Sequence, residues 1–251
     1  MSASILITGA SSGLGAALAE VYAAPGVTLF LGGRNRERLE AVAAVCRGRG
    51  SEVRTALVDV TDRAAAEAWA LASETERPLT LVIANAGISG GTGNKLGETA
   101  EQTRSIFSAN LDGVLNTVLP IIPAMQARKS GQIALMASLA GFRGMPGAPA
   151  YCASKAAVRV WGEGMRGYLA RDGVGVTVIC PGFVETAMTA GNRFPMPFLM
   201  GAAQAAAIMK RGLDANKARI AYPWQTAALT WLLAALPPAW TDGMVAKAPG
   251  K

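Results

Sequence analysis

Ser4-Ile5-Leu6-Ile7-Thr8-Gly9-Ala10-Ser11-Ser12-Gly13-Leu14-Gly15 is the stretch that decides the fold. Its first part, SILIT, makes a short apolar strand. The chain then turns through three glycines, and an Ala, Leu and Glu pattern carries a helix to about Ala24. Strand, glycine turn and helix in this order give a glycine motif its meaning. The glycines let the backbone turn tightly and approach a pyrophosphate, whose charge then meets a helix N-terminus. The spacing is G-x-x-x-G-x-G, not G-x-G-x-x-G, and a plain strand-to-helix turn would read the same way.

The pattern repeats outward from this unit. Pro25-Gly26 ends the first helix, residues 27–31 form a second strand, and Gly32-Gly33-Arg34-Asn35 lead into a helix over 36–47. An NAD binder carries an acidic residue at this strand end, to bond the ribose 2′-hydroxyl. Here Arg34 stands there, suited to a 2′-phosphate or simply solvated before a helix. Residues 53–58 read as a third strand that delivers Asp59 and Val60, after which Thr61 or Asp62 caps a helix over 63–75. A fully apolar strand over 79–84 ends in Asn85-Ala86-Gly87. A long helical pattern covers 101–128, with Asn110 in its interior and a kink expected at Pro120 and Pro123. Strands over 132–137 and 174–179 follow, separated by a helix over 151–171. Strands that are apolar on both faces and alternate with helices belong to a parallel sheet covered on both sides. The expected fold class is α/β, a single Rossmann-like doubly wound domain over 1–251, with a parallel sheet of about seven strands.

The stretch 138–155, SLAGFRGMPGAPAYCASK, carries the chemistry. Tyr151 and Lys155 are spaced i, i+4 and rise from one face of a helix. A free phenol titrates near ~10 and is a poor proton donor or base at neutral pH. An ammonium one turn away is expected to lower that value, and Ser138 would bond the same oxygen that the tyrosine serves. The group so formed transfers a proton to or from a carbonyl or alcohol. The loop between Ser138 and Tyr151, with Phe142, Arg143 and Met145, reads as a wall of a substrate pocket.

Composition narrows the alternatives. Hydrophobic residues make up 51% of the chain and charged ones 16%, which fits a well-packed globular protein. The net charge of +7 comes from Arg and Lys scattered apart from Arg34, Arg36 and Arg38, which a phosphorylated cofactor would partly explain, and Arg47 with Arg49; with no basic stripe among aromatics, nucleic-acid binding is not expected. With no histidine in the chain, His-based triads and most zinc sites are excluded, and no metal is expected. Cys46, Cys152 and Cys180 are far apart and read as reduced thiols, giving a cytoplasmic expectation. The first strand starts within a few residues of Met1, leaving no room for a signal peptide, and no apolar run reaches spanning length.

The constellation resembles the short-chain dehydrogenase/reductase family over roughly residues 4–190. The matching motifs are Thr8-Gly9-x-x-x-Gly13-x-Gly15, Asp59-Val60, Asn85-Ala86-Gly87, Asn110, Ser138, Tyr151-x-x-x-Lys155 and Pro181-Gly182 with Thr186. The resemblance implies a hydride transfer between NADP(H), favoured over NAD(H), and a small-molecule carbonyl or alcohol. Gly9, Ser11, Ser12, Gly13, Leu14 and Gly15 would cradle the pyrophosphate and adenine ribose, and Arg34 the 2′-phosphate. Asp59 and Val60 would contact adenine, and Asn85, Ala86 and Gly87 would lie beside the ribose. Tyr151 would be the general acid/base, with Lys155 holding the nicotinamide ribose and Ser138 orienting the substrate oxygen. Asn110 would hold a water in a proton relay, and Pro181, Gly182, Val184 and Thr186 would flank the nicotinamide. A catalytically idle cofactor-binding protein on the same fold is the rival reading, and the complete Asn-Ser-Tyr-Lys set argues against it.

The same resemblance places a substrate lid at about 187–215, rich in Met, Phe and Pro, and suited to an apolar or mixed substrate. Met188 is expected in the pocket, and Arg143 and Arg193 could meet an anionic or polar substrate. A sugar, a steroid-like ketone and an acyl thioester all stay open. Beyond a last strand over 219–222, an apolar helix over 224–236 is too short to span a bilayer. It reads as packing in a homodimer or homotetramer, with peripheral membrane contact as the alternative.

Overall fold

A computed structural model describes residues 3–90, 98–192 and 194–246. Its strands are β1 (Ala3–Thr8), β2 (Val27–Gly33), β3 (Glu52–Leu57), β4 (Leu81–Ala84), β5 (Gly131–Met136), β6 (Val174–Pro181), the short β7 (Val184–Glu185) and β8 (Met200–Gly201), and β9 (Arg219–Tyr222). Seven of them form one parallel sheet in the order β3-β2-β1-β4-β5-β6-β9. The strands alternate their side chains between two cores. Ile5, Ile7, Leu29, Leu31 and Ile83 face one side, against α1 (Gly13–Tyr22), α2 (Arg36–Gly48) and α8 (Ala202–Asp214). Leu6, Phe30, Val82, Leu135 and Val178 face the other, against α3 (Arg63–Glu76), α5 (Gly113–Val118), α6 (Ile122–Ala127) and α7 (Pro149–Leu169). Each fully buried Leu or Ile contributes about 1.5–3 kcal/mol, so neither face tolerates a polar exchange.

The chain winds from β1 through β2 to β3, then returns to β4 on the other flank of β1 and continues outward. The strand order therefore reverses between β1 and β4, and a crevice opens beyond their carboxyl ends. Every segment expected to carry function at a strand end leaves the sheet at that edge.

Two expectations need correction. The helical pattern over 101–128 is not one proline-kinked helix. It divides into α4 (Ala100–Phe107), a π-helical turn (Ser108–Asp112), α5 and α6. The first break falls at Asn110, whose side chain is drawn into bonds outside its own helix. Pro120 lies in the turn between α5 and α6, and Pro123 lies in the first turn of α6, where an N–H has no intrahelical partner to lose. The run Ala100–Ala127 is long and apolar enough to cross a bilayer by length and composition, with a mean hydropathy of 1.3. Val114, Val118, Ile121 and Met125 are nevertheless buried in the second core, which makes it a core element of the sheet.

Of the stretch 187–215 expected as a lid, the second half is α8, which lays Ala205, Ala206, Met209 and Leu213 on the first core against α1. The tail differs as well. Beyond α9 (Trp224–Ala235), Pro237 and Pro238 start a further helix, α10 (Pro238–Val245), where only a tail was expected.

Candidate active site

The glycine turn forms the floor of the crevice. Gly9 (φ 67°) and Gly13 (φ 56°) are both left-handed, a conformation that disfavours any other residue. At Gly15 the constraint is space, because an added Cβ would stand 2.2 Å from the Gly9 carbonyl oxygen. The turn is tied to the end of β4. The Asn85 and Ala86 N–H groups both donate to Thr8 Oγ1 at 3.0 Å, and Asn85 Nδ2 donates to the Thr8 carbonyl at 2.9 Å. Asn85 therefore acts first as a clip between two strand ends. Ser12, at the N-cap of α1, makes no side-chain capping bond. The α1 N-terminus thus keeps donors for an anion.

At the end of β2, Asn35 Oδ1 caps α2 by accepting from the Arg38 N–H at 2.8 Å. Arg34 lies 3.5 Å from Asp59, and both side chains are largely exposed, so the pair is weak and Arg34 is free to turn to a stronger anion. Burial raises the Asp59 carboxyl, but the Thr61 N–H and hydroxyl, together with Arg34, bring it below its usual range. Arg38, read in the sequence as part of a cluster with Arg34 and Arg36, lines the crevice beside Arg34. The i, i+4 spacing of the two arginines was the available signal.

Ser138 leaves β5 at the same edge. Its Oγ accepts from the Ala140 N–H at 3.1 Å, donates to the Pro181 carbonyl at 3.4 Å and bonds the Tyr151 phenol. Lys155 is buried, and its Nζ donates to the Met136 carbonyl at 2.8 Å, 5.9 Å from the Tyr151 ring centroid. Burial lowers Lys155 to about 8. Burial also raises the Tyr151 phenol, which the Ser138 bond only partly offsets. This corrects the expectation that the ammonium lowers the phenol. In the protein alone the lysine is turned to Met136, burial dominates, and Tyr151 rests as a protonated donor.

Asn110 is fully buried in its π-helical turn. Its Oδ1 accepts from the Ile88 N–H at 2.7 Å, while Nδ2 donates to the Ile88 carbonyl at 2.9 Å and to Ser154 Oγ at 3.0 Å. These bonds fix the segment after β4 that carries Gly87, where an added Cβ would stand 2.8 Å from Asn110 Oδ1 and 3.3 Å from Lys155 Nζ.

A cleft of about 910 Å³ brings together Gly9, Ser11, Ser12, Gly13, Leu14, Arg34, Asp59, Val60, Asn85, Ala86 and Gly87 at one end. Ser138, Tyr151, Lys155, Pro181, Gly182, Val184 and Thr186 line its middle. Met145 and Met188 join Phe183, Phe194, Leu229 and Leu233 in an apolar far end. Gly15 and Asn110 lie behind the walls. Phe142 and Arg143 are not in this cleft. The short turn Leu139–Gly141 directs the chain outward, so that Phe142 stacks on Arg159 (4.7 Å) and Arg143 pairs with Asp242 of α10 (2.6 Å). Both flank a separate depression of about 560 Å³. Arg193 lies outside the described residues.

The sequence missed Thr189 and α9. Thr189 Oγ1 donates to the Val184 carbonyl at 2.6 Å and accepts from the Thr186 N–H at 3.0 Å. This turn sets Thr186 over Gly13, whose added Cβ would stand 3.2 Å from Thr186 Cγ2. Helix α9 contributes Thr226, Leu229, Thr230 and Leu233 to the cleft wall, and the i, i+4 spacing of its two threonines was the available signal.

A family model described as short chain dehydrogenase matches residues 3–195. An uncharacterised oxidoreductase of Myxococcus xanthus is 41% identical over 233 residues, covering 92% of each chain. An uncharacterised oxidoreductase of Mycobacterium tuberculosis is 35% identical over 240 residues, covering 93% of this chain and 94% of that one. Among solved structures, a short-chain dehydrogenase from Sphingobium yanoikuyae in complex with NADPH is similar with a TM-score of 0.83 and 27% identity, covering 98% of this chain and 96% of that chain.

Proposed function

The chain belongs to the short-chain dehydrogenase family, and from that premise we propose that it interconverts an uncharged, largely apolar carbonyl compound and its alcohol with NADP(H). The observation that carries this reading is the Ser138–Tyr151 pair with Lys155 one turn away, in the middle of a cleft whose one end is a glycine turn and whose other end is apolar.

The residues present fit the cofactor. Two left-handed glycines and the uncapped start of α1 suit a pyrophosphate, and Arg34 and Arg38 suit a 2′-phosphate. When bound, NADPH supplies the hydride. Ser138 orients the substrate oxygen against the Tyr151 phenol. Tyr151 donates its proton as negative charge grows on that oxygen, and the buried ammonium of Lys155 stabilises the phenolate left behind. The apolar residues at the far end exclude water, which strengthens each of these interactions. Thr226 and Asn192 line the cleft, and Thr226 Oγ1 and Asn192 Oδ1 have no hydrogen-bond partner among the described residues. Charged residues among the described lining, Arg34, Arg38, Asp59 and Lys155, stand at the cofactor end or in the middle, which supports an uncharged substrate.

A screen for NADPH oxidation over aliphatic, aromatic and polycyclic ketones and aldehydes tests the reading. Turnover confined to sugars or to carboxylated ketones would overturn the substrate class. Arg34→Ala is expected to weaken NADPH binding by about 10- to 100-fold and NADH binding by less than about twofold, as loss of a phosphate partner requires. Equal losses, read by titrating the cofactor fluorescence, would shift the assignment to NAD(H).

The pH dependence follows from the buried pair. Lys155 is charged below about 8 and neutral above it, whereas Tyr151, raised by burial, keeps its proton through that range. Reduction needs both protons in place. Its kcat/KM is expected to be flat below about 8 and to fall with unit slope above. A reduction profile with no alkaline fall would remove Lys155 from the charged role.

A further inference from the structure

Helix α7 carries Tyr151 and Lys155, yet its own residues leave its start uncapped. Ala148 stands at the cap position with no side-chain oxygen, and Pro149 in the first turn has no N–H. The hydrogen-bond ladder of α7 opens with the Cys152 N–H on the Ala148 carbonyl at 3.0 Å. The N–H of Ala150, one residue before Tyr151, therefore has no acceptor within its helix. Glu98, 52 positions earlier, supplies one: its Oε2 accepts from the Ala150 N–H at 2.8 Å.

The same turn is held from a second direction. Ser154 Oγ donates to the Tyr151 carbonyl at 2.8 Å and accepts from Asn110 Nδ2 at 3.0 Å. The backbone before and after Tyr151 is thus tied to the segment between β4 and α5, by Glu98 on one side and by Ser154 with Asn110 on the other. The Glu98 carboxylate is poorly served by any other neighbour. Its Oε1 is buried and has no hydrogen-bond partner among the described residues, a desolvation cost that the positive end of α7 offsets. Burial raises the Cys152 thiol and the Glu98 charge adds to the rise, as a carboxylate set against the first turn of α7 would do.

We propose that Glu98 is a positioning residue, which fixes the start of α7 and so holds the Tyr151 phenol in register with Ser138. The inference rests on the reaction proposed above and extends it to a side chain outside the cleft lining. Without an acceptor for the Ala150 N–H, the first turn of α7 loosens, and Tyr151 belongs to that turn. Lys155 lies one turn further on and keeps its own bond to the Met136 carbonyl. Loss of Glu98 therefore displaces the proton donor and leaves the cofactor end of the cleft in place.

The test compares Glu98→Ala, which removes the acceptor, with Glu98→Gln, which keeps an oxygen there and loses the charge. Glu98→Ala is expected to lower kcat for an accepted carbonyl substrate by about tenfold, with KM and NADPH affinity changed by less than about twofold. Glu98→Gln is expected to recover most of that loss. In hydrogen exchange on the full chain, residues 148–155 should exchange faster in Glu98→Ala, with 158–169 unchanged. Unchanged kcat in Glu98→Ala would overturn the proposal, as would an equal loss in both variants. So would a lowered kcat with unaltered exchange at the start of α7, or with exchange raised evenly along the helix, which would assign Glu98 to general stability. No carbonyl turnover by the unaltered protein would count against the proposed reaction instead, while the exchange comparison still decides whether Glu98 holds α7.

Discussion

Tyr151→Phe is expected to lower kcat for any accepted carbonyl substrate by about a thousandfold, with NADPH affinity changed by less than about twofold. The substitution removes one oxygen from a side chain that is otherwise held by its helix. The ring stays, so the packing that positions Lys155 stays with it. What disappears is the hydroxyl that interacts with Ser138 at the reacting position, and with it the proton that the developing alkoxide must receive. Water is a poor substitute in a site walled by Phe183, Phe194, Leu229 and Leu233. Single-turnover mixing with saturating NADPH separates the chemical step from binding. Unchanged single-turnover rates in the variant would refute the acid role of Tyr151 and with it the proposed reaction.

Gly141→Ala should have the second largest effect, although residue 141 touches neither cofactor nor substrate. An added Cβ would stand 2.7 Å from the Lys155 carbonyl carbon, 2.8 Å from its oxygen and 2.9 Å from the Ala156 nitrogen. These are backbone atoms in the catalytic helix and have no rotamer by which to retreat. Either α7 moves outward or the Leu139–Gly141 turn does, and both separate Ser138 from Tyr151. Overpacking of this kind costs about 1–3 kcal/mol in stability. A displacement approaching an ångström costs about 100-fold in rate. The expected result is a kcat lowered by about 100-fold with a KM changed much less, and a lower Tm. Wild-type kcat in a folded Gly141→Ala protein would show that the turn and the helix are not rigidly coupled.

The sheet was legible because its strands carry apolar residues on both faces and because α2 and α3 begin at an asparagine and an acidic cap. Asn35 and Asp62 bear this out, accepting from Arg38 and Ala65 N–H groups as helix caps do. The site's middle was legible for a different reason: Tyr151 and Lys155 lie within one helix, so a local spacing fixes their relation. Asn110 was noticed as an odd helix-interior residue, but its partner Ile88 lies 22 positions away, and no local pattern announces a bond between them. The orientation of Phe142 and Arg143 depended on whether the turn after Ser138 points in or out, and that is set by the contact between Gly141 and α7. The cleft-facing side of α9 was marked by its two threonines and otherwise hidden, because both of its sides are apolar, one against the cleft and one bare.

The clip between Thr8 and Asn85 has a consequence for the kinetics of cofactor exchange. Its bonds join two parallel strand ends within the chain itself, so the order of the cleft floor comes from the fold. A floor that is already ordered loses little conformational entropy on binding, and arrival should be limited by encounter alone. Departure is another matter, because the Thr186–Thr189 turn overlies the glycine floor at Gly13. The turn and the floor are built from different residues, so substitutions that probe departure and arrival need not overlap.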